Sequence, residues 1–229
     1  MRPTDYGDVW AEFLDEWTAL TASTPPVALL DRVEAVAGPG GRVLELGCGT
    51  GFLAVPLAER GLDVHGVDAS PAMLDRLRTR SAAVTVHLAD AADLPDLGHF
   101  DVVLFASSSI FCLPDADAQA ACVAGMARLG GAVVIETYVP DPAWFDAEGR
   151  MHFIQARGDG WRMRWNSVHR PDEQVIDVVR SFRRDGEEDR LFPHRERYVL
   201  PDQLDAMAEA AGLRLVERVD GDRLLSTYR

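Results

Sequence analysis

The sequence predicts an α/β protein: a doubly wound, mostly parallel seven-stranded sheet carrying a three-stranded antiparallel insertion. Three observations predict it. Between residues 42 and 138 short apolar strands alternate with helical segments of about ten residues or more, the pattern of right-handed βαβ units whose strands are covered on both faces. After Pro140 the alternation stops, and three strand-like runs follow with turn compositions between them. A last helix and a hairpin then return to the first pattern.

The elements follow in order. Val9, Trp10, Phe13, Leu14, Trp17 and Leu20 recur at helical spacing. Pro25-Pro26 opens a second helix that turns Val27, Leu30, Val33 and Val36 to the core, and GPGG at 38–41 ends it. Strands are predicted at 42–46, 62–67, 84–88, 101–106 and 132–138. Helices are predicted at 52–60, 72–80 and 115–129, with Ser70-Pro71 as cap and first-turn proline of the middle one. The insertion strands are 161–169, 174–184 and 189–199, joined by RPDE and DGEE. Pro201 starts a helix capped by Gly212, and 213–219 and 223–228 flank Asp220-Gly221-Asp222 as a hairpin at the sheet edge. One domain over 1–229 results, with a core of about 1–140 and 200–229 and an insertion at 141–199.

Composition narrows the chemistry. All 23 basic residues are Arg, against 37 Asp and Glu, for a net charge of -14. Without Lys there is no Schiff-base or phosphate-loop lysine, which excludes pyridoxal-phosphate and Walker-type NTPase chemistry. The acidity argues against nucleic acid and membrane surfaces as partners. The charge is uneven: residues 1–149 hold 22 acids and 8 Arg, whereas residues 150–199 hold 9 acids and 11 Arg. Cys48, Cys112 and Cys122 lack any metal-ligand spacing, so reduced thiols and no metal are expected. MRPTDYGDVW has no apolar signal core and no run of about 18 apolar residues occurs, which predicts a cytoplasmic protein, monomer or homodimer.

The chemistry is carried by Val43-Leu44-Glu45-Leu46-Gly47-Cys48-Gly49-Thr50-Gly51. A strand runs into a glycine turn and then a helix, which brings bare backbone and N–H groups to a ligand. A dinucleotide fingerprint requires G-x-G-x-x-G, and Phe52 stands where its third glycine belongs, which counts against nicotinamide. ELGCGTG resembles motif I of the class I methyltransferases that depend on S-adenosylmethionine (SAM), a Rossmann-like family. The likeness continues through VHGVDAS, HLADAADLP, FDVVLFASSSIF and RLGGAVVIETY. It covers 38–140 strongly and 198–229 moderately.

The resemblance implies SAM as cofactor, S-adenosylhomocysteine (SAH) as product, and a small-molecule acceptor. It places Asp68 on the ribose hydroxyls, with Ala69 and Met73 beside it; a carboxylate suits a vicinal diol because it accepts two hydrogen bonds. It places Asp90 at the adenine amino group with the Ala91 N–H, Glu45 near the methionine end, and Gly47, Cys48, Gly49, Gly51, Ala106 and Ser107 along the cofactor. Tyr6 and Trp10 would close over it. Simpler roles stand beside these: Asp68 as a helix cap, Asp90 as a loop carboxylate that Asp93 could replace, Glu45 as a partner of glycine-loop N–H groups.

Ligands of open α/β sheets bind at the strand carboxyl ends. Phe111, Tyr138, Trp144 and Phe145 fall there, and Trp161 and Trp165 in the insertion are further acceptor contacts. Methyl transfer from a sulfonium works largely by positioning, so no catalytic triad is required. His152, His169 and His194 are the candidate general bases. Ala106-Ser107-Ser108-Ser109 replaces the Asn/Asp-Pro-Pro-Tyr/Phe tetrapeptide of DNA and release-factor methyltransferases, which favours a small molecule. The insertion resembles that of bacterial sugar N-methyltransferases and natural-product tailoring enzymes, and SSSIFCL resembles the nucleotide-aminosugar N,N-dimethyltransferases. The predicted function is methyl transfer to N or O of a small acceptor, and the Arg-rich insertion fits an anionic one. The alternative is a SAM or SAH binder of the same fold with another reaction or none.

Overall fold

The computed structural model describes residues 24–156, 160–221 and 223–229, together with Gly7, Trp10, Ala11, Phe13, Leu14 and Thr18. Tyr6 and Trp17 lie outside the described residues. Helix α1 (Val27–Ala37) leads into β1 (Arg42–Leu46). Then come α2 (Ala54–Glu59), β2 (Asp63–Asp68), α3 (Pro71–Arg80), β3 (Thr85–Leu88) and β4 (Phe100–Phe105). A 3-10 turn at Ser109–Cys112, α4 (Ala116–Leu129) and β5 (Gly130–Thr137) complete the parallel part. The insertion holds β6 (Arg150–Ala156), β7 (Trp161–Arg170), β8 (Val175–Arg184) and β9 (Arg190–Arg197). Helix α5 (Pro201–Ala210), β10 (Leu215–Val219) and β11 (Leu224–Tyr228) close the chain.

The large sheet has the order β10-β11-β5-β4-β1-β2-β3, parallel except for β11, which runs antiparallel between β5 and β10. Its order reverses between β1 and β4, and the crevice at that reversal is where such sheets bind ligands. Local chemistry sets the helix starts. The Ser70 hydroxyl accepts from the Met73 N–H at 3.3 Å, and Asp115 accepts from the Ala118 N–H at 2.8 Å. β1, β4 and β5 are apolar runs buried on both faces between the helices, and their side chains form the two main cores.

The second sheet has four strands, β6-β7-β8-β9, not three. Sequence reading misses β6 because RMHFIQA mixes polar and apolar residues with a single β-branched side chain, and the strand is largely exposed. Its register comes from β7: Phe153 faces Trp165, and the His169 N–H donates to the Gly149 carbonyl at 2.7 Å. Pro193 sits in β9, which tolerates it as an edge strand. A third apolar cluster joins the two sheets. Trp10 and Phe13 are buried against Phe182, Phe192, Trp161 and Met73 of α3. Among the described residues no helix is long and apolar enough to cross a membrane.

Candidate functional site

A cavity of about 910 Å³ opens along the carboxyl ends of β1, β2, β3, β4 and β5, roofed by the inner face of the second sheet. Such a volume lies toward the upper end of the usual range for one drug-sized ligand, which leaves room for a cofactor and an acceptor side by side.

The glycine turn forms its floor. Gly47, Cys48 and Gly49 line the cavity, and both glycines have positive φ, 62° and 53°. Gly51 does not line it. An added Cβ there would lie 2.4 Å from Leu77 Cδ1 and 2.9 Å from Val55 Cγ2, so this glycine lets α3 pack on the loop. Asp68 ties the turn to the next helix: its Oδ2 accepts from the Gly49 N–H and its Oδ1 from the Ser70 N–H, both at 2.9 Å. Ser70 itself is the cap of α3. Ala69, Met73, Asp90 and Ala91 line the same end, and Asp90 Oδ1 accepts from the Ala92 N–H at 2.9 Å.

Glu45 rises from β1 into this end of the cavity with 4% of its surface exposed. Its Oε2 is buried without a hydrogen-bond partner. Burial holds its pKa well above the usual carboxylate value; the Ala54 N–H opposes this and the Asp68 charge adds to it. A buried carboxylate oxygen lacking a donor is what an ammonium group would satisfy. The same environment, burial first and then the Glu45 and Asp68 charges, keeps Cys48 a thiol.

Beyond β4 the chain turns through Ser107 and Ser108, two consecutive non-glycine residues with φ of 55° and 56°. The Ser107 N–H donates to Glu136 Oε2 at 2.7 Å, and Arg223 Nη1 donates to Ser108 Oγ at 2.8 Å. Both serines line the cavity, whereas Ala106 is buried beneath them.

The other end of the cavity is aromatic. Tyr138, Trp144, Phe145 and Trp165 line it. Phe111 does not: it is buried in the core, and its ring packs on Tyr138 at 5.1 Å. Trp161 is taken by the N-terminal cluster, 6.2 Å from the Phe13 ring. No sequence signal marks Glu196, which faces inward from β9. Tyr138 Oη donates to its Oε2 at 2.7 Å, and His194 Nε2 lies 2.9 Å from its Oε1. Burial alone would push the Glu196 pKa up; His194, Arg180 and Tyr138 outweigh it and hold the carboxyl below its ordinary value. Burial, reinforced by the Glu196 charge and hydrogen bond, pushes the Tyr138 phenol far up.

None of the three candidate histidines lines the cavity. His152 is exposed on β6 and bonded to Asn166. His169 is 3.1 Å from Tyr198 Oη and packs on Phe145. His194 reaches the cavity only through Glu196. Each is engaged by another side chain, Asn166, Tyr198 or Glu196, which periodicity alone does not disclose. Among the described residues no group of His, Cys, Asp and Glu is placed to hold a metal.

Comparison with known proteins agrees with this fold. A family model described as a methyltransferase domain matches residues 43–131. The solved CcbJ methyltransferase from Streptomyces caelestis is 35% identical with a TM-score of 0.88, covering 100% of this chain and 99% of that one. The sugar N-methyltransferase KedS8 from Streptoalloteichus sp is 26% identical with a TM-score of 0.70, covering 88% and 85%. Among curated proteins, the magnesium-protoporphyrin O-methyltransferase of Rhodobacter capsulatus is 44% identical over 77 residues, 31% of this chain. That match spans 34% of the relative, so the chain covers only about a third of its length. The unpaired Glu45 oxygen and the glycine cradle beside Asp68 fit the family's cofactor. The chain belongs to the SAM-dependent methyltransferases.

Proposed function

We propose that this protein is an N-methyltransferase acting on a small amine of natural-product or sugar type, in a single domain whose insertion walls the acceptor site. Glu45 would take the cofactor's ammonium, Asp68 the ribose hydroxyls, and Asp90 with the Ala91 N–H the adenine. When bound, SAM supplies an activated methyl group. What remains for the protein is to hold an acceptor nitrogen in line and to keep water out.

One observation carries the choice of nitrogen. In the acceptor end, among the described lining residues, the single carboxylate is Glu196, and its partners hold it below its ordinary pKa. A hydroxyl acceptor needs a base to take its proton, and a carboxylate so stabilised is a poor one. An amine attacks through its lone pair. Arg180 and Arg223 line the same end, and their positive charges disfavour an ammonium and so keep the amine in its attacking form. The likeness to a sugar N-methyltransferase supports the same reading.

The test is incubation with methyl-labelled SAM and matched panels of amines and alcohols. Label on nitrogen is the expected outcome. Label on oxygen overturns the nitrogen assignment. Tight SAM binding with no transfer to any acceptor favours a non-transferring SAM binder instead.

A further inference from the structure

The Arg-rich insertion presents far fewer cations to the cavity than its composition suggests. Asp177 takes both Arg170 and Arg195, at 3.0 and 2.6 Å. Asp189 takes Arg164 and Arg183, at 3.4 and 3.8 Å. Arg184 and Arg190 lie over the Trp161 ring, Arg190 over Phe13 as well. Among the described residues, Arg180 is the one insertion arginine that lines the cavity.

Arg180 is set apart by its surroundings. Its side chain is 15% exposed. The guanidinium lies 3.9 Å from the Trp165 ring centre and 5.4 Å from that of Trp10, and Arg180 lines the cavity between these rings and Glu196. Its Nε is buried with no hydrogen-bond partner. Glu196 does not satisfy it: the nearest approach is 3.8 Å from Nη2, while both Glu196 oxygens are engaged by Tyr138 and His194. A carboxylate meant only to neutralise Arg180 would meet it in a fork at about 2.8 Å. A buried guanidinium N–H left without an acceptor is costly, and a planar anion is what its edge fits.

The charge count bounds that anion. The acceptor end holds Arg180, Arg223 and Glu196, a net of +1, on a wall that is otherwise mostly aromatic and aliphatic. One carboxylate balances this. A nucleoside diphosphate brings two or more charges that such a wall cannot solvate.

Resting on the methyltransferase reading above, we propose that Arg180 recognises a single carboxylate on the acceptor, and that nucleoside-diphosphate-linked sugars are not the substrate class. The test uses SAH-saturated protein titrated with benzoate, with benzyl alcohol as its uncharged analogue, and with thymidine diphosphate, read by calorimetry. Benzoate should bind at least about tenfold tighter than benzyl alcohol, and no weaker than thymidine diphosphate. Arg180→Met should remove the benzoate preference while SAH affinity stays within twofold. Arg180→Lys, which keeps the charge without the fork, should retain part of it. Equal or absent binding of benzoate and benzyl alcohol overturns the proposal. So does thymidine diphosphate binding tighter than benzoate, or a preference that survives in Arg180→Met. Failure of the methyltransferase reading would show separately, as absence of label transfer from methyl-labelled SAM to any amine.

Discussion

The two ends of the cavity carry opposite charge, and they are built differently. The end formed by β1, β2 and β3 is lined by Glu45, Asp68 and Asp90, with no arginine among its described residues. It rests on parallel strands whose loops are fixed by backbone hydrogen bonds. The other end is lined by Arg180, Arg223 and Glu196, on side chains from an antiparallel sheet and a C-terminal hairpin. The first suits a ligand with positive groups, as the SAM sulfonium and ammonium are; the second suits a negative one. The difference teaches that bulk composition does not report the site: among the described residues only Arg180 of the eleven arginines at 150–199 lines the cavity, and Arg223 beside it comes from the C-terminal hairpin.

The comparison can be broken first at its foundation. Gly51→Val places side-chain atoms on Leu77 and Val55 at a residue with φ of 89°. It should lower stability by about 3 kcal/mol, from overpacking and the left-handed backbone together. Urea unfolding measures this; a loss below about 1 kcal/mol would mean that α3 does not depend on the glycine.

Next comes the cofactor end. Asp68→Ala should weaken SAM binding by roughly 2–3 kcal/mol, measured by calorimetry. Unchanged affinity would limit Asp68 to its bonds with Gly49 and Ser70.

Glu45 sharpens the contrast through pH. Its folded pKa is raised, so the cofactor-free protein binds more protons than the unfolded chain there. On account of this group, stability rises as pH falls from above the raised pKa toward the ordinary carboxylate value. SAM affinity should move the opposite way, falling as Glu45 takes its proton and can no longer pair with an ammonium. Glu45→Gln should flatten both dependences. SAM affinity that keeps its wild-type pH profile in this variant would detach Glu45 from the cofactor.

The smallest effect belongs to the outer face of the insertion. Arg195→Ala removes an exposed partner of Asp177 and should cost at most about 1 kcal/mol, with methyl transfer unchanged. A large loss of activity would mean that the outer arginines take part in acceptor binding.

Much of the fold was legible because parallel strands buried on both faces announce themselves as apolar runs, and because Ser70-Pro71, Gly38 and Gly212 mark helix ends. β6 was not, since an exposed edge strand takes its register from its neighbour rather than from its own pattern. The lining of the end formed by β1, β2 and β3 was legible for a related reason: its residues are contiguous in short motifs on strand ends. Gly51 shows the limit even there, a motif residue that turns out to serve packing. At the acceptor end Trp161 and Trp165 are four residues apart, and only Trp165 faces the cavity. Tertiary placement by the N-terminal cluster decides that, and no local signal carries it. Glu196 was hidden likewise, one acid among several on β-strands, distinguished only in three dimensions by Tyr138, His194 and Arg180 around it.

The paired left-handed serines after β4 set a limit on how this protein can be improved. Glycine at Ser107 or Ser108 would relieve the φ of 55° or 56°, so a screen for heat resistance would favour it. At Ser108 the same change would remove the hydroxyl that accepts from Arg223 and so loosen the loop, whereas glycine at Ser107 keeps the N–H that donates to Glu136. Durability and catalytic rate are therefore set against each other at Ser108, and a laboratory selection for one there should be seen to surrender the other.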